Sequence, residues 1–132
     1  MATVAVDNMN SQLVEYQDVF LVNVARLILH AKGLGYMVAG GELYRSNQEA
    51  QRLAALGLGT MLSLHIERLA FDLILRRDVD GDGDADWLRM SHEYSQLGAF
   101  WKSLDYRNRW GGDFLPPRVD GNHFSMSYLG RK

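Results

Sequence analysis

From Ser11 to Lys32 apolar residues recur every three or four positions, as Leu13, Tyr16, Phe20, Val24, Leu27 and Ala31. That spacing predicts an amphipathic helix, with Ser11 as its N-cap and Gly33 as its stop. His30 falls in the last turn, where a cation suits the helix dipole, and is read as structural. Residues 36–39 read as a short strand. Ser46-Asn47-Gln48-Glu49 is a capping box that opens a second helix carrying Leu53, Ala54 and Leu56, with Gly57 and Gly59 ending it. Tyr94, Leu97, Gly98, Trp101 and Leu104 mark a third helical stripe beginning at Ser91, with His92 exposed at its start. Residues 109–114 read as a loop or tight turn, and Pro116-Pro117 breaks any regular element. Residues 122–128 alternate as a final strand.

Between Ser63 and Leu75 the pattern fits two templates. Ile66, Leu69, Ala70, Leu73 and Ile74 follow helical spacing, which would put His65 and Asp72 on one face. Leu69, Phe71, Leu73 and Leu75, set against Ala70, Asp72 and Ile74, follow the alternation of a strand. Periodicity alone does not separate the two in so short a run. One long helix, two shorter ones and several short strands give an α+β class, here a small antiparallel sheet with flanking helices.

Composition narrows the classes. A chain of 132 residues, 47% apolar and 23% charged, suits one soluble domain over residues 1–132. It has no cysteine, which excludes disulfides and thiolate-rich structural zinc sites. The N-terminal residues lack the basic and apolar regions of a signal peptide, and no apolar run is long enough to span a membrane. Synthesis in the cytoplasm, no membrane insertion and a monomeric state are expected. The net charge is −2, but five aspartates lie between Asp78 and Asp86, and setting them aside leaves 14 basic against 11 acidic residues. That excess is too weak to argue for nucleic acid, and no basic stripe with interleaved aromatics accompanies it.

The candidate chemistry lies in Ser63-Leu64-His65-Ile66-Glu67-Arg68-Leu69-Ala70-Phe71-Asp72 and in Asp120-Gly121-Asn122-His123. His65, Asp72 and His123 form a three-ligand set of the kind that suits a catalytic zinc, which leaves its fourth position to water. Ser63-x-His65-x-x-Arg68-x-Ala70-x-Asp72 resembles the SxHxxGxAxD motif of the M15 metallopeptidases, the D-Ala-D-Ala carboxypeptidases and L-alanyl-D-glutamate endopeptidases of peptidoglycan. The likeness is greatest to the compact peptidases of bacteriophage endolysins. It extends from about Glu42 to Met126 and takes in Leu97-Gly98-x-Phe100-Trp101, Arg109-Trp110-Gly111-Gly112-Asp113-Phe114 and Asp120-x-x-His123-Phe124. Arg68 stands where the family usually has glycine, and Ser125 where many relatives carry an acidic residue.

The resemblance implies a Hedgehog-like peptidase fold, with a strand carrying Asp72 and His65 just before it. It implies zinc held by His65, Asp72 and His123, Asp120 as general base, and Arg45 polarising the scissile carbonyl. On residues alone, Arg45 reads as a surface ion pair with Glu49, and Asp120 as a turn residue. Trp110 and Asp113 are expected along the cleft, Trp110 as a wall for the stem peptide, with Ser63 also at the substrate; an aromatic at that place is otherwise core. Asp78, Asp80, Asp82, Gly83, Asp84 and Asp86 reproduce the first half of an EF-hand loop, but Arg89 replaces the closing glutamate. The loop reads as a Ca²⁺ site, regulatory or structural, or as a solvated acidic turn.

The leading expectation is a zinc-dependent peptidoglycan hydrolase, an endolysin that cuts the stem peptide between L-alanine and D-glutamate after release from the host cytoplasm. It would have no separate wall-binding domain. A D-Ala-D-Ala carboxypeptidase with the same zinc and a non-catalytic calcium- or wall-binding module are the alternatives.

Overall fold

The computed structural model describes residues 11–58 and 63–132. Helix α1 (Ser11–Gly33) buries Leu13, Phe20, Val24, Leu27 and Ala31, the stripe its spacing predicts. Ser11 is already helical, and Gly33 is the last helical residue. Strand β1 (Met37–Gly40) follows, then helix α2 (Asn47–Ala55). The Ser46 hydroxyl caps α2 by accepting from the Glu49 N–H. Only this half of the expected capping box forms, because the Glu49 carboxylate turns outward to Arg52 at 2.7 Å. Gly57 closes α2 with φ +72°, and the second expected stop, Gly59, lies outside the described residues.

The ambiguous stretch is a strand, β2 (Ala70–Arg77). Leu69, Phe71, Leu73 and Leu75 are all buried, whereas Asp72 and Ile74 on the other face are only half-buried. Tertiary packing decides the case. An eight-residue segment carrying Phe71, Leu73, Ile74 and Leu75 gains more as the centre of a sheet than as an isolated short helix. The sheet is antiparallel with order β1–β2–β5–β4, where β4 is Asn108–Trp110 and β5 is His123–Met126. The two-residue β3 (Asp86–Trp87) pairs with the end of β2.

Residues 109–114 are not a plain loop. Asn108, Arg109 and Trp110 pair with Met126, Ser125 and Phe124, and a 3₁₀ turn follows over Gly111–Asp113. Too few residues take part for alternation to show in the sequence.

Helix α3 (Ser95–Leu104) joins α1 over the sheet. Trp101 is the centre of this core, edge-on to Phe20 at 5.5 Å and to Phe124 at 6.0 Å. Its indole N–H is shared between the carbonyls of Arg109 and Ser125, both at 3.0 Å, which ties α3 to β4 and β5. Among the described residues no helix is long and apolar enough to cross a membrane.

Candidate metal centre

Asp72 and His123 are directly opposed in the β2–β5 register. The neighbouring bond from the Leu73 N–H to the Asn122 carbonyl makes theirs a non-hydrogen-bonded pair, the geometry in which facing side chains come closest. His123 Nδ1 lies 3.4 Å from Asp72 Oδ1. His65 arrives from the turn before β2, where the Ser63 hydroxyl accepts its backbone N–H at 3.2 Å. Its Nε2 lies 3.6 Å from the same Asp72 oxygen. The three side chains each offer one ligand atom, all within 4.8 Å of one another. Tetrahedral ligands at zinc bond lengths stand about 3.3 Å apart, so the set fits a metal ion.

Two further observations agree with that fit. Asp72 Oδ1 is buried with no hydrogen-bond partner, a costly state for a carboxylate oxygen unless a cation meets it. His65 Nδ1 lies 3.3 Å from the Leu43 carbonyl, so the proton belongs there and Nε2 is left as the free lone pair. His123 lacks such a partner, and its buried Nε2 is unsatisfied. Burial would raise the Asp72 carboxyl. The His123 and His65 rings set close against it outweigh burial and lower it to about 2.

Asp120 stands at the open rim of the same cleft. Burial of its inner side pushes its carboxyl above the ordinary range, and Asp72 adds to this, while His123 and His65 pull the other way. The turn that carries it is fixed from three sides. Asp120 donates its N–H to the Gly111 carbonyl at 2.9 Å, Ser91 Oγ accepts from Gly121 at 2.9 Å, and the Trp110 indole donates to the Gly121 carbonyl at 2.7 Å. A Cβ on Gly111 would collide with the Asp120 carbonyl oxygen and come within 2.9 Å of His123 Cβ, so only glycine fits beneath this turn.

The cleft has a volume of about 410 Å³, and Ser63, His65, Asp72, Asp120, His123 and Arg45 all line it. Arg45 pairs with Glu42 at 2.5 Å, not with Glu49. Trp110 does not line the cleft and is no wall for a peptide. Its ring is buried against Gly98 and Gly112, and it acts from behind through Gly121. Asp113 is likewise absent from the lining and pairs with Lys102 at 2.7 Å. The apolar wall is instead Phe114 and Leu115, with Arg118 beside them. Sequence reasoning passed over these because they flank Pro116-Pro117, where no periodicity operates.

Arg68 is one of two described non-glycine residues with positive φ, at +58°. The glycine of the resembling motif therefore falls at a left-handed position. Here the arginine lies over the Tyr44 ring at 4.2 Å and stays out of the cleft lining.

In the aspartate loop, Asp78, Asp80, Asp82 and Asp86 bring ligand atoms within 4.8 Å of one another. Asp84 does not join them, contrary to the five-carboxylate expectation. Counted from Asp78 it is the seventh position, where loops of this kind offer the backbone carbonyl and the side chain points away.

No family model matches the chain, and no curated protein matches it. Among solved structures, the L-Ala D-Glu endopeptidase ChiX of Serratia marcescens is similar at 19% identity with a TM-score of 0.60, over 90% of this chain and 89% of that one. The chain has the α+β fold of that endopeptidase.

Proposed function

We propose that the protein is a zinc-dependent peptidoglycan hydrolase of the M15 type, cutting the stem peptide at the L-alanyl-D-glutamate bond as a phage endolysin. One observation carries the reading: His65, Asp72 and His123 meet with ligand spacing inside a cleft that also holds Asp120 and Arg45. The fold shared with ChiX supports the substrate class.

His65 Nε2, Asp72 Oδ1 and His123 Nδ1 are the atoms that would hold the ion. When bound, zinc supplies Lewis acidity, polarising a peptide carbonyl and acidifying water. Asp120 takes the proton of the attacking water onto its carboxylate and passes it to the leaving amine as the C–N bond breaks. Arg45 donates to the carbonyl oxygen as negative charge gathers there. Phe114 and Leu115 give the peptide an apolar surface that excludes water from one side of the cleft.

The test is metal analysis of purified protein alongside digestion of purified peptidoglycan and mass analysis of the new ends. One zinc per chain with new N-terminal D-glutamate supports the proposal. Zinc with released D-alanine would move the activity to the carboxypeptidases. Neither zinc nor cleavage after zinc is added back would leave a binding module.

A further inference from the structure

We propose that Glu42 is a positioning residue of the cleft, its Oε1 atom aiming the Arg45 guanidinium and offsetting the Arg45 charge beside the metal position. The inference rests on the metallopeptidase reading above. Arg45 Nε and Nη2 both reach Oε1, at 2.6 and 2.5 Å, so a single oxygen grips one edge of the guanidinium and Nη1 is the nitrogen it leaves over. The same oxygen stands 3.6 Å from His65 Nδ1, on the side of the ring already turned to the Leu43 carbonyl.

Exposed ion pairs three residues apart contribute little, and that is the ordinary reading of such a pair. This one is not exposed in that sense: the Arg45 side chain is 11% accessible and lies in the cleft wall. Three backbone hydrogen bonds tie its segment to the one that carries the ligands. Gly41 donates to the Asp72 carbonyl at 2.7 Å, Asp72 to the Glu42 carbonyl at 3.0 Å, and Arg45 to the His65 carbonyl at 3.0 Å. A Cβ on Gly41 would come within 2.9 Å of Asp72 Cβ, so the two segments approach as closely as backbone allows. Glu42 therefore sits on a rigid strap that reports directly to two of the three ligands.

The electrostatic need is plain. A guanidinium in the wall of a partly buried cleft repels a divalent cation there, with less screening than at an open surface. A carboxylate between the guanidinium and the histidine removes most of that repulsion and still leaves Nη1 to donate.

The experiment compares Glu42→Gln, Arg45→Met and the double variant with the parent, by chelator-competition zinc affinity, denaturation midpoint, and kcat and KM on a stem peptide. Glu42→Gln is expected to keep its midpoint and KM. Its zinc affinity should fall about 10-fold or more, because the Arg45 charge is left uncompensated beside the ion, and kcat should fall with it. The double variant should recover the zinc affinity, since no uncompensated cation remains. Parental zinc affinity and kcat in Glu42→Gln would overturn the inference, as would a weakening of zinc that persists unchanged in the double variant. Failure of the function itself shows separately, in a parent that neither binds zinc nor cuts the peptide.

Discussion

Gly111→Ala places one methyl group under the turn that carries Asp120 and His123. The added carbon would collide with the Asp120 carbonyl oxygen and stand 2.9 Å from His123 Cβ and 3.0 Å from the Asp120 carbonyl carbon. Comfortable carbon contacts begin at about 3.5 Å, so His123 must retreat by roughly half an ångström. The turn cannot swing freely, because Asp120 donates to the carbonyl of that same glycine and Trp110 and Ser91 hold Gly121. Overpacking of this kind costs about 1–3 kcal/mol of stability. Ligand distances tolerate only about 0.2 Å, so the loss of zinc affinity should be more than 10-fold. Urea denaturation of metal-free protein measures the first quantity, and zinc titration against a chelator the second. Gly33→Ala is the control, since a Cβ there meets nothing within 4 Å. If Gly111→Ala matched that control in both assays, the tight seating of the turn on Gly111 would be refuted.

Arg68→Ala should lose about 0.5–1 kcal/mol with the Tyr44 contact while keeping the left-handed strain, whereas Arg68→Gly should come close to the parent because relief of about 1–2 kcal/mol offsets the same loss; equal denaturation midpoints for the two variants would contradict this. Asp120→Asn should abolish most activity while zinc still binds. In metal-free protein the Asp120 carboxyl should titrate above the ordinary carboxylate range, which NMR would reveal, and zinc loading should pull it down. For metal-free protein the sign at Asp72 is the opposite of a raised group. Its folded pKa of about 2 lies below the ordinary value of 3.8, so its stabilisation is complete above about pH 4 and is lost as pH falls towards 2. The amount is about 2 kcal/mol, and Asp72→Asn should flatten the midpoint-versus-pH curve across that window; an unchanged slope would count against the charge network.

Helices α1 and α3 were legible in the sequence because each buries a continuous stripe, and Leu13 through Ala31 needed no other information. Helix α2 buries only Ala50, leaves the expected Leu53, Ala54 and Leu56 half-buried or exposed, and was legible through its Ser46 cap. The ligand types were legible as well, since His65 and Asp72 stand out in apolar sequence. Their convergence was not. It depends on Asp72 facing His123 across two strands, and register arises from packing that no local window contains. Periodicity left β2 undecided until the alternation of buried and half-buried positions along the strand settled it. Glu42 was passed over for a similar reason: the sequence reading paired Arg45 with Glu49, and only folding brings Glu42 against Arg45 and beside His65. Trp110 was misplaced because sequence gives an aromatic no direction, and here the ring turns towards Gly98 and Gly112, away from the cleft.

The pairing of Asp72 with His123 also makes the centre a proofreader of strand alignment. Shifting β5 by a single residue along β2 would set Phe71 or Leu73 opposite His123 and turn the carboxylate to the other partner, so the three-ligand set exists in one alignment only. An ion that needs all three ligands selects that alignment from a folding mixture and, by mass action, holds chains in it. Refolding with and without zinc should then differ in the yield of correctly paired protein as well as in its final stability.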